Sequence, residues 1–249
     1  NVKLFFMRNI HRFKVIAFGL LFQSFFSPLL AGNNMKIIYN IKYGFVNGGK
    51  AMVEKRDTVY GGKKCIYYRL EGNTTGLTDK IFKVHDTYES IVDARTHLPY
   101  LAVRNVKEKS YRYYNKVFFY HQNDSIFSER TGGMKVPPQL IDILSAFFYM
   151  VNVYDMDTLK EGYSLILPTI NGHDIQKMKV KYVNNEIIQT DIGSSLCYVI
   201  APEMKKGKLL KNSSSLKFYI AQNEKIPYQI EIETKVGKIE AMPIEIIKN

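Results

Sequence analysis

The chain has 249 residues, a formal net charge of +12, 33 tyrosine and phenylalanine residues together, and only two cysteines. This length fits one large domain or two small ones, and two cysteines exclude a disulfide-rich scaffold. Basic charge and many aromatic side chains would suit nucleic-acid binding, but the export signal at the start of the chain argues against that partner.

Residues 1–31 have the organisation of a secretory signal peptide. Basic residues precede an apolar run over 15–26, and Ala31 ends a segment suited to cleavage. The run is shorter than the roughly 20 residues of a membrane-spanning helix, which favours cleavage over an uncleaved anchor. We therefore expect a single β-rich exported domain over 32–249 that does not span the membrane. Its remaining net charge of +8 would attract anionic partners.

The first half of this domain alternates apolar and polar residues with the period of a β-strand. Asn47-Gly48-Gly49 and Gly61-Gly62 are turn signals between such runs. Strands are predicted over 35–46, 50–59, 63–71, 80–92, 99–107, 109–121 and 125–129.

One segment, 137–151, has helical spacing instead. Its apolar residues recur at intervals of three and four, and two prolines at its start suit the first turn of a helix. The predicted helix is too short to cross a bilayer and too apolar to lie in water. Its narrow polar stripe consists of Gln139, Asp142, Ser145 and Tyr149.

The second half returns to strand patterns, after a candidate boundary between two halves near 155–162. Asn171-Gly172 and Asn184-Asn185 are read as turns. Strands are predicted over 163–169, 174–183, 186–191, 195–201, 215–221, 226–235 and 238–247. The predicted fold class is mainly β: a curved antiparallel sheet or open β-barrel wrapped around one central helix over 137–151.

The two cysteines, Cys65 and Cys197, both lie in strand-like runs. An oxidising compartment permits a disulfide between them. Free cysteines in strands often pack as small core residues, and we favour that interpretation.

Three stretches of the chain resemble a bacterial exported family known as domain of unknown function 3108. They are TTGLTDKIFKVHDTYES followed by ARTHLPYLAVRNVKE within 74–108, DILSAFFYM at 142–150, and the strand, turn and IPYQIEIETKVGKIEA within 216–244. The resemblance implies a periplasmic β-rich protein and carries over no catalytic residue. The last stretch is also similar to periplasmic lipoprotein carriers, which are open β-barrels capped by helices around an apolar cavity.

Candidate ligand-binding residues begin with Asp86, Tyr88 and Arg104. Alternation places Asp86 and Tyr88 on the more apolar face of their strand, and Arg104 on the matching face of the next. Because a buried carboxylate needs a partner, we predict that Asp86 pairs with Arg104 across adjacent strands. The pair would either fix the strand register or leave the Arg104 guanidinium free to bind an anionic headgroup.

The helix supplies the remaining candidates, Asp142, Phe147 and Tyr149. The polar stripe with Asp142 and Tyr149 is expected to face water, and Asp142 would orient a ligand if the stripe faced a cavity instead. Phe147 belongs to the apolar face that would line such a cavity. The aromatic and basic side chains of 111–120 would form either a second candidate strip for sugar or lipid or ordinary cross-strand pairs, and we favour the pairs.

The sequence contains no recognisable catalytic, metal-binding or nucleotide-binding motif. The histidines lack zinc-ligand spacing, and no nucleophile elbow, phosphate loop or dinucleotide fingerprint is present. We expect no catalytic residue, no metal and no cofactor. The predicted function is non-enzymatic binding of an amphipathic envelope molecule, such as a lipid, lipopolysaccharide or lipid-linked glycan. The alternative is a structural or assembly factor that binds an envelope protein and has no ligand cavity.

Overall fold

The computed structural model describes residues 34–203, 212 and 215–248, so the predicted signal peptide lies outside the described residues. Fifteen strands are present in this part of the chain. They are β1 (Met35–Tyr43), β2 (Val46–Tyr60), β3 (Lys63–Thr74), β4 (His85–Asp93), β5 (Pro99–Glu108), β6 (Tyr111–Tyr120), β7 (Ser125–Ser128), β8 (Gly132–Lys135), β9 (Ile141–Asp142), β10 (Ser164–Asn171), β11 (Asp174–Thr190), β12 (Gly193–Pro202), β13 (Leu216–Ala221), β14 (Pro227–Thr234) and β15 (Gly237–Lys248).

All fifteen strands belong to one sheet, with the order β8-β7-β6-β5-β4-β3-β2-β1-β15-β14-β13-β12-β11-β10-β9. Chain neighbours pair as antiparallel hairpins, and the short β9 pairs in parallel with β10. The first strand, β1, lies between β2 and the last strand, β15. The prediction of a mainly β protein built on a large antiparallel sheet is therefore confirmed.

The main helix, α2 (Ile143–Val153), begins six residues later than predicted. Asp142 has extended backbone and is the N-cap, because its carboxylate accepts the backbone N–H groups of Leu144 and Ser145. The segment from Pro137 to Leu140 precedes the helix as a loop, in which Gln139 has a φ of 55°. A buried cap therefore determines the helix start, and the prolines do not.

Helix α2 contributes side chains to two core clusters. Ala146, Met150 and Val151 pack in a cluster formed with β10 to β13. Leu144 and Phe148 pack in a second cluster formed with β1 to β4. The Phe148 ring stacks on that of Tyr68, with centroids 4.0 Å apart and planes within 2°.

A third cluster joins β5, β6 and β7 to Leu140 and to Ile170 on β10. Ala102 on β5 and Ile170 on β10 belong to this same cluster, although their strands are far apart in the sheet order. The sheet therefore curves back on itself. Cys65 and Cys197 are both buried and unbridged, which confirms the favoured interpretation.

Several local predictions were wrong. The start of the predicted 80–92 strand lies in or beside a short helix, α1 (Gly76–Ile81). Asn47-Gly48 belongs to β2, and the turn lies at 44–45. Asn184-Asn185 continues β11 beside a bulge, where the register with β12 shifts between Tyr182 and Asn184. Within the described ranges, neither helix has the length and apolarity needed to cross a membrane.

Candidate functional site

Three of the predicted site residues, Tyr88, Arg104 and Asp142, line one small cavity. They come from β4, β5 and the start of α2, and Ile170 and Gly172 close the cavity from the opposite side. Its volume is only about 30 Å³. A cavity of this size holds about one water molecule, and known small-molecule sites are about tenfold larger.

Asp142 is 5% exposed, so the polar stripe at this end of the helix does not face water as predicted. Its Oδ1 accepts the hydroxyl of Ser90 at 2.5 Å and the N–H groups of Leu144 and Ser145 at 3.0 Å each. Its Oδ2 accepts the hydroxyl of Ser145. Burial raises the pKa of this carboxyl, and the donated hydrogen bonds only partly oppose that shift. The contacts assign Asp142 to fixing the helix start.

Asp86 and Arg104 do not form the predicted salt bridge. The register of β4 and β5 places Arg104 opposite Tyr88. The guanidinium donates instead to Asn171 Oδ1 at 2.8 Å and lies 5.0 Å from the centre of the Tyr113 ring. Asn171 is 67 positions away in the sequence, so only the curvature of the sheet makes it available.

The carboxylate of Asp86 has other partners. Its Oδ1 accepts the backbone N–H of Lys107 at 3.0 Å. Glu108 also lies beside it: burial and the neighbouring Asp86 carboxylate raise the pKa of Glu108. Asp86 therefore belongs to a carboxyl pair at the end of β4 and β5.

Phe147 and Tyr149 are packed in the core and do not join the group around Arg104. The Phe147 ring stacks on Phe218 with centroids 4.3 Å apart. Tyr149 is partly buried in the cluster formed with β10 to β13. Both side chains stabilise the interior.

A larger cleft lies elsewhere, at the end of the sheet where β2 turns into β3 and β6 into the loop before β7. Its volume is about 630 Å³, within the range typical of small-molecule sites. Its aromatic lining consists of Tyr60, Tyr100, Phe118, Phe119 and Tyr120. We refer to it as the aromatic cleft. The sequence indicated the strip with Phe118 and Tyr120, but it did not indicate that residues near 60 and 95 complete a cleft.

Hydrogen-bonded polar side chains lie among the aromatic residues that line the cleft. Tyr60 and Tyr100 stack with centroids 6.1 Å apart, and the Tyr100 hydroxyl donates to Asp93 Oδ2 at 2.7 Å. Lys63 Nζ donates to the Tyr100 hydroxyl at 3.3 Å and lies 5.0 Å from its ring centre. The cleft thus combines flat aromatic surfaces with a fixed row of polar atoms.

Asp93 is the single carboxylate among the described residues that line the aromatic cleft. Burial opposes its ionisation, but hydrogen bonds from Tyr100 and from the N–H groups of Thr96 and Arg95 outweigh that effect and lower its pKa to about 2. Lys63 and Arg95 add two positive charges. The lining carries a net positive charge at neutral pH.

In the described part of the chain, no three His, Cys, Asp or Glu side chains lie close enough together to bind one metal ion. The arrangement of the aromatic cleft suits stacking and hydrogen bonding of a bound molecule.

Comparison with known structures finds a similar fold in a β-barrel-like protein of domain of unknown function DUF1849 from Brucella abortus. The two chains share 8% identity with a TM-score of 0.58, over 87% of this chain and 98% of that one. At this identity the likeness concerns the fold alone. No curated protein matches the chain. The family model described as "Protein of unknown function (DUF3108)" matches residues 38–242, most of the chain, and the chain therefore belongs to the DUF3108 family.

Proposed function

We propose that this chain is an exported, non-enzymatic binding protein of the periplasm. Its ligand would be an amphipathic envelope molecule, a lipid or a lipid-linked glycan, held in the aromatic cleft. The single observation that carries this proposal is the cleft itself, with a volume of about 630 Å³ and five aromatic side chains in its lining.

The lining of the cleft matches an amphipathic ligand in two ways. Tyr60 and Tyr100 offer stacked ring surfaces, on which apolar chains or the apolar faces of sugar rings pack. Lys63 and Arg95 offer positive charge for phosphate or carboxylate groups. Asp93 already accepts hydrogen bonds from three groups, which lower its pKa to about 2, so it would be a weak general base at neutral pH.

A ligand inside the sheet is less well supported than one in the cleft. We propose that the sheet closes as an open barrel around α2, since the helix contributes side chains to the clusters on both halves of the sheet. In that arrangement α2 fills the space that a lipid would otherwise occupy, and about 30 Å³ remains at its N-terminal end.

The test is native mass spectrometry on the protein isolated from its own envelope, followed by extraction and identification of bound lipid or glycolipid. A stoichiometric adduct that is lost in Tyr120→Ser would support the cleft as its site. Tyr114→Ser is the matched control, because Tyr114 and Tyr120 lie on the same face of β6 with exposures of 49% and 51%. An adduct that survives Tyr120→Ser and Phe118→Ala would place the ligand elsewhere.

The alternative is a structural or assembly factor that binds an envelope protein. The closely packed interior around Arg104 and Asp142 favours it, because a filled core needs no ligand. A clean apo mass together with a stoichiometric protein crosslink in the envelope would support this function over ligand binding.

A further inference from the structure

Six apolar side chains are exposed together at the end of the sheet opposite the aromatic cleft. Phe45 is 106% exposed, and Val236, Ile81 and Leu77 are each at least 75% exposed. We define the apolar tip as Phe45, Val46, Leu77, Ile81, Phe82 and Val236. These residues come from the β1–β2 turn, from α1 and the residue after it, and from the β14–β15 turn.

Hydrogen bonds hold these three segments side by side. The Tyr43 hydroxyl donates to the carbonyl of Val236 at 2.8 Å, and the N–H of Gly44 donates to the carbonyl of Lys238 at 3.3 Å. On the other side, the N–H of Thr75 donates to the carbonyl of Gly48 at 3.1 Å, which ties the start of α1 to β2. The apolar tip is therefore one surface carried by a sheet end.

Glycine contributes to this close approach. A Cβ atom at Gly237 would lie 3.1 Å from the Tyr43 hydroxyl, and Gly237 has a φ of 153°. A larger residue would push the β14–β15 turn away from Tyr43, so the glycine lets that turn lie close to the β1–β2 turn.

Three lysines lie on the α1 side of the apolar tip. Lys109 Nζ lies 4.7 Å from the centre of the Phe82 ring, and the Lys109 N–H donates to the carbonyl of Lys83. Lys80 lies in the last turn of α1. Among the described residues, none of these three ammonium groups forms a salt bridge. Protruding apolar side chains beside a cluster of lysines match the acyl region of a membrane and the anionic headgroup layer above it.

We propose that the apolar tip docks on the surface of an anionic phospholipid bilayer. Phe45 and Leu77 would enter the headgroup region, and Lys80, Lys83 and Lys109 would lie against the phosphates. Strand β2 runs from Val46 at the tip to Tyr60 at the aromatic cleft, about 45 Å of extended chain. Docking therefore leaves the cleft facing away from that bilayer, and the proposal stands whether or not the cleft binds a ligand.

The experiment is an environment-sensitive fluorophore attached to Phe45→Cys. The control carries the same label at Glu186→Cys, an exposed position on β11 that lies away from the apolar tip and outside the lining of the aromatic cleft. Cys65 and Cys197 are 2% and 0% exposed, so labelling is selective for the new thiols. Vesicles are phosphatidylcholine with about one third phosphatidylglycerol, or phosphatidylcholine alone. We expect a several-fold rise and a blue shift in emission at position 45 with the anionic vesicles only, and no change at position 186.

Charge reversal tests the contribution of the lysines. The triple variant Lys80→Glu, Lys83→Glu, Lys109→Glu should weaken vesicle binding more than about tenfold. Its control carries the same charge change at the exposed Lys64, Lys177 and Lys181, and should lose much less. All six side chains are exposed, so circular dichroism should remain unchanged in both variants.

Four results would overturn the proposal. They are no change at position 45, equal changes at positions 45 and 186, an equal response to neutral vesicles, and equal losses in the two triple variants. A signal at position 45 that grows with protein concentration without vesicles would show that a second copy covers the apolar tip instead.

Discussion

The hydrogen bonds of Asp142 predict a large difference between two substitutions at this position. In Asp142→Ala the helix loses its N-cap, which costs about 1 kcal/mol. The hydroxyls of Ser90 and Ser145, 1% and 2% exposed, lose their acceptor, at about 1 kcal/mol or more each. The expected loss in free energy of unfolding is therefore about 3 kcal/mol.

Asp142→Asn should cost less than about 1 kcal/mol, because asparagine caps helices as well as aspartate does. Its carbonyl oxygen can accept the bonds now made to Oδ1, and the Ser145 hydroxyl can rotate to accept from the amide. Urea denaturation followed by circular dichroism measures both variants, since the chain has no tryptophan. Equal losses in the two variants, or a loss well below 1 kcal/mol in Asp142→Ala, would refute this account of the cap.

The wild-type chain and Asp142→Asn should also differ in how their stability depends on pH. Burial raises the pKa of Asp142 in the folded chain above its ordinary value of 3.8. Between those two values the folded state holds more protons than the unfolded state, so this group makes stability fall as pH rises through the interval. Asp142→Asn cannot ionise and should have a flatter stability profile there. A steeper fall in the variant would contradict the burial effect.

Two further substitutions test the packing of the sheet. Phe148→Ala removes the ring stacked on Tyr68 and should lower the free energy of unfolding by about 3–5 kcal/mol in the same urea assay. A loss of less than about 1 kcal/mol would show that the helix does not pack tightly against Tyr68. Gly49→Ala would place a Cβ 2.4 Å from the carbonyl oxygen of Asn73 on the neighbouring strand and should cost about 1–3 kcal/mol, whereas Gly72→Ala meets no atom within 4 Å and should be close to neutral. Equal effects of the two glycine substitutions would show that the strands do not approach so closely.

The sequence predicted the elements better than their partners. Alternation located thirteen of the strands to within a few residues, because the period of a strand is a property of the local chain. It missed β8, whose four residues include two glycines, and β9, whose two residues it assigned to the helix. It also read Asn184-Asn185 as a turn. A bulge and a turn use the same residue types, and only pairing with β12 distinguishes them.

For the candidate site, the sequence by itself determined that Tyr88 and Arg104 share a face, which two-residue periodicity is enough to establish. Tertiary structure decided which groups they meet. Arg104 donates a hydrogen bond to Asn171 of β10, and Asp142 accepts one from Ser90 of β4, and both partners are more than 50 positions away in the sequence. The aromatic cleft likewise depends on residues near 60, 95 and 120 meeting at one end of the sheet. Local patterns specify period and face, whereas register and curvature arise from the packing of the whole sheet.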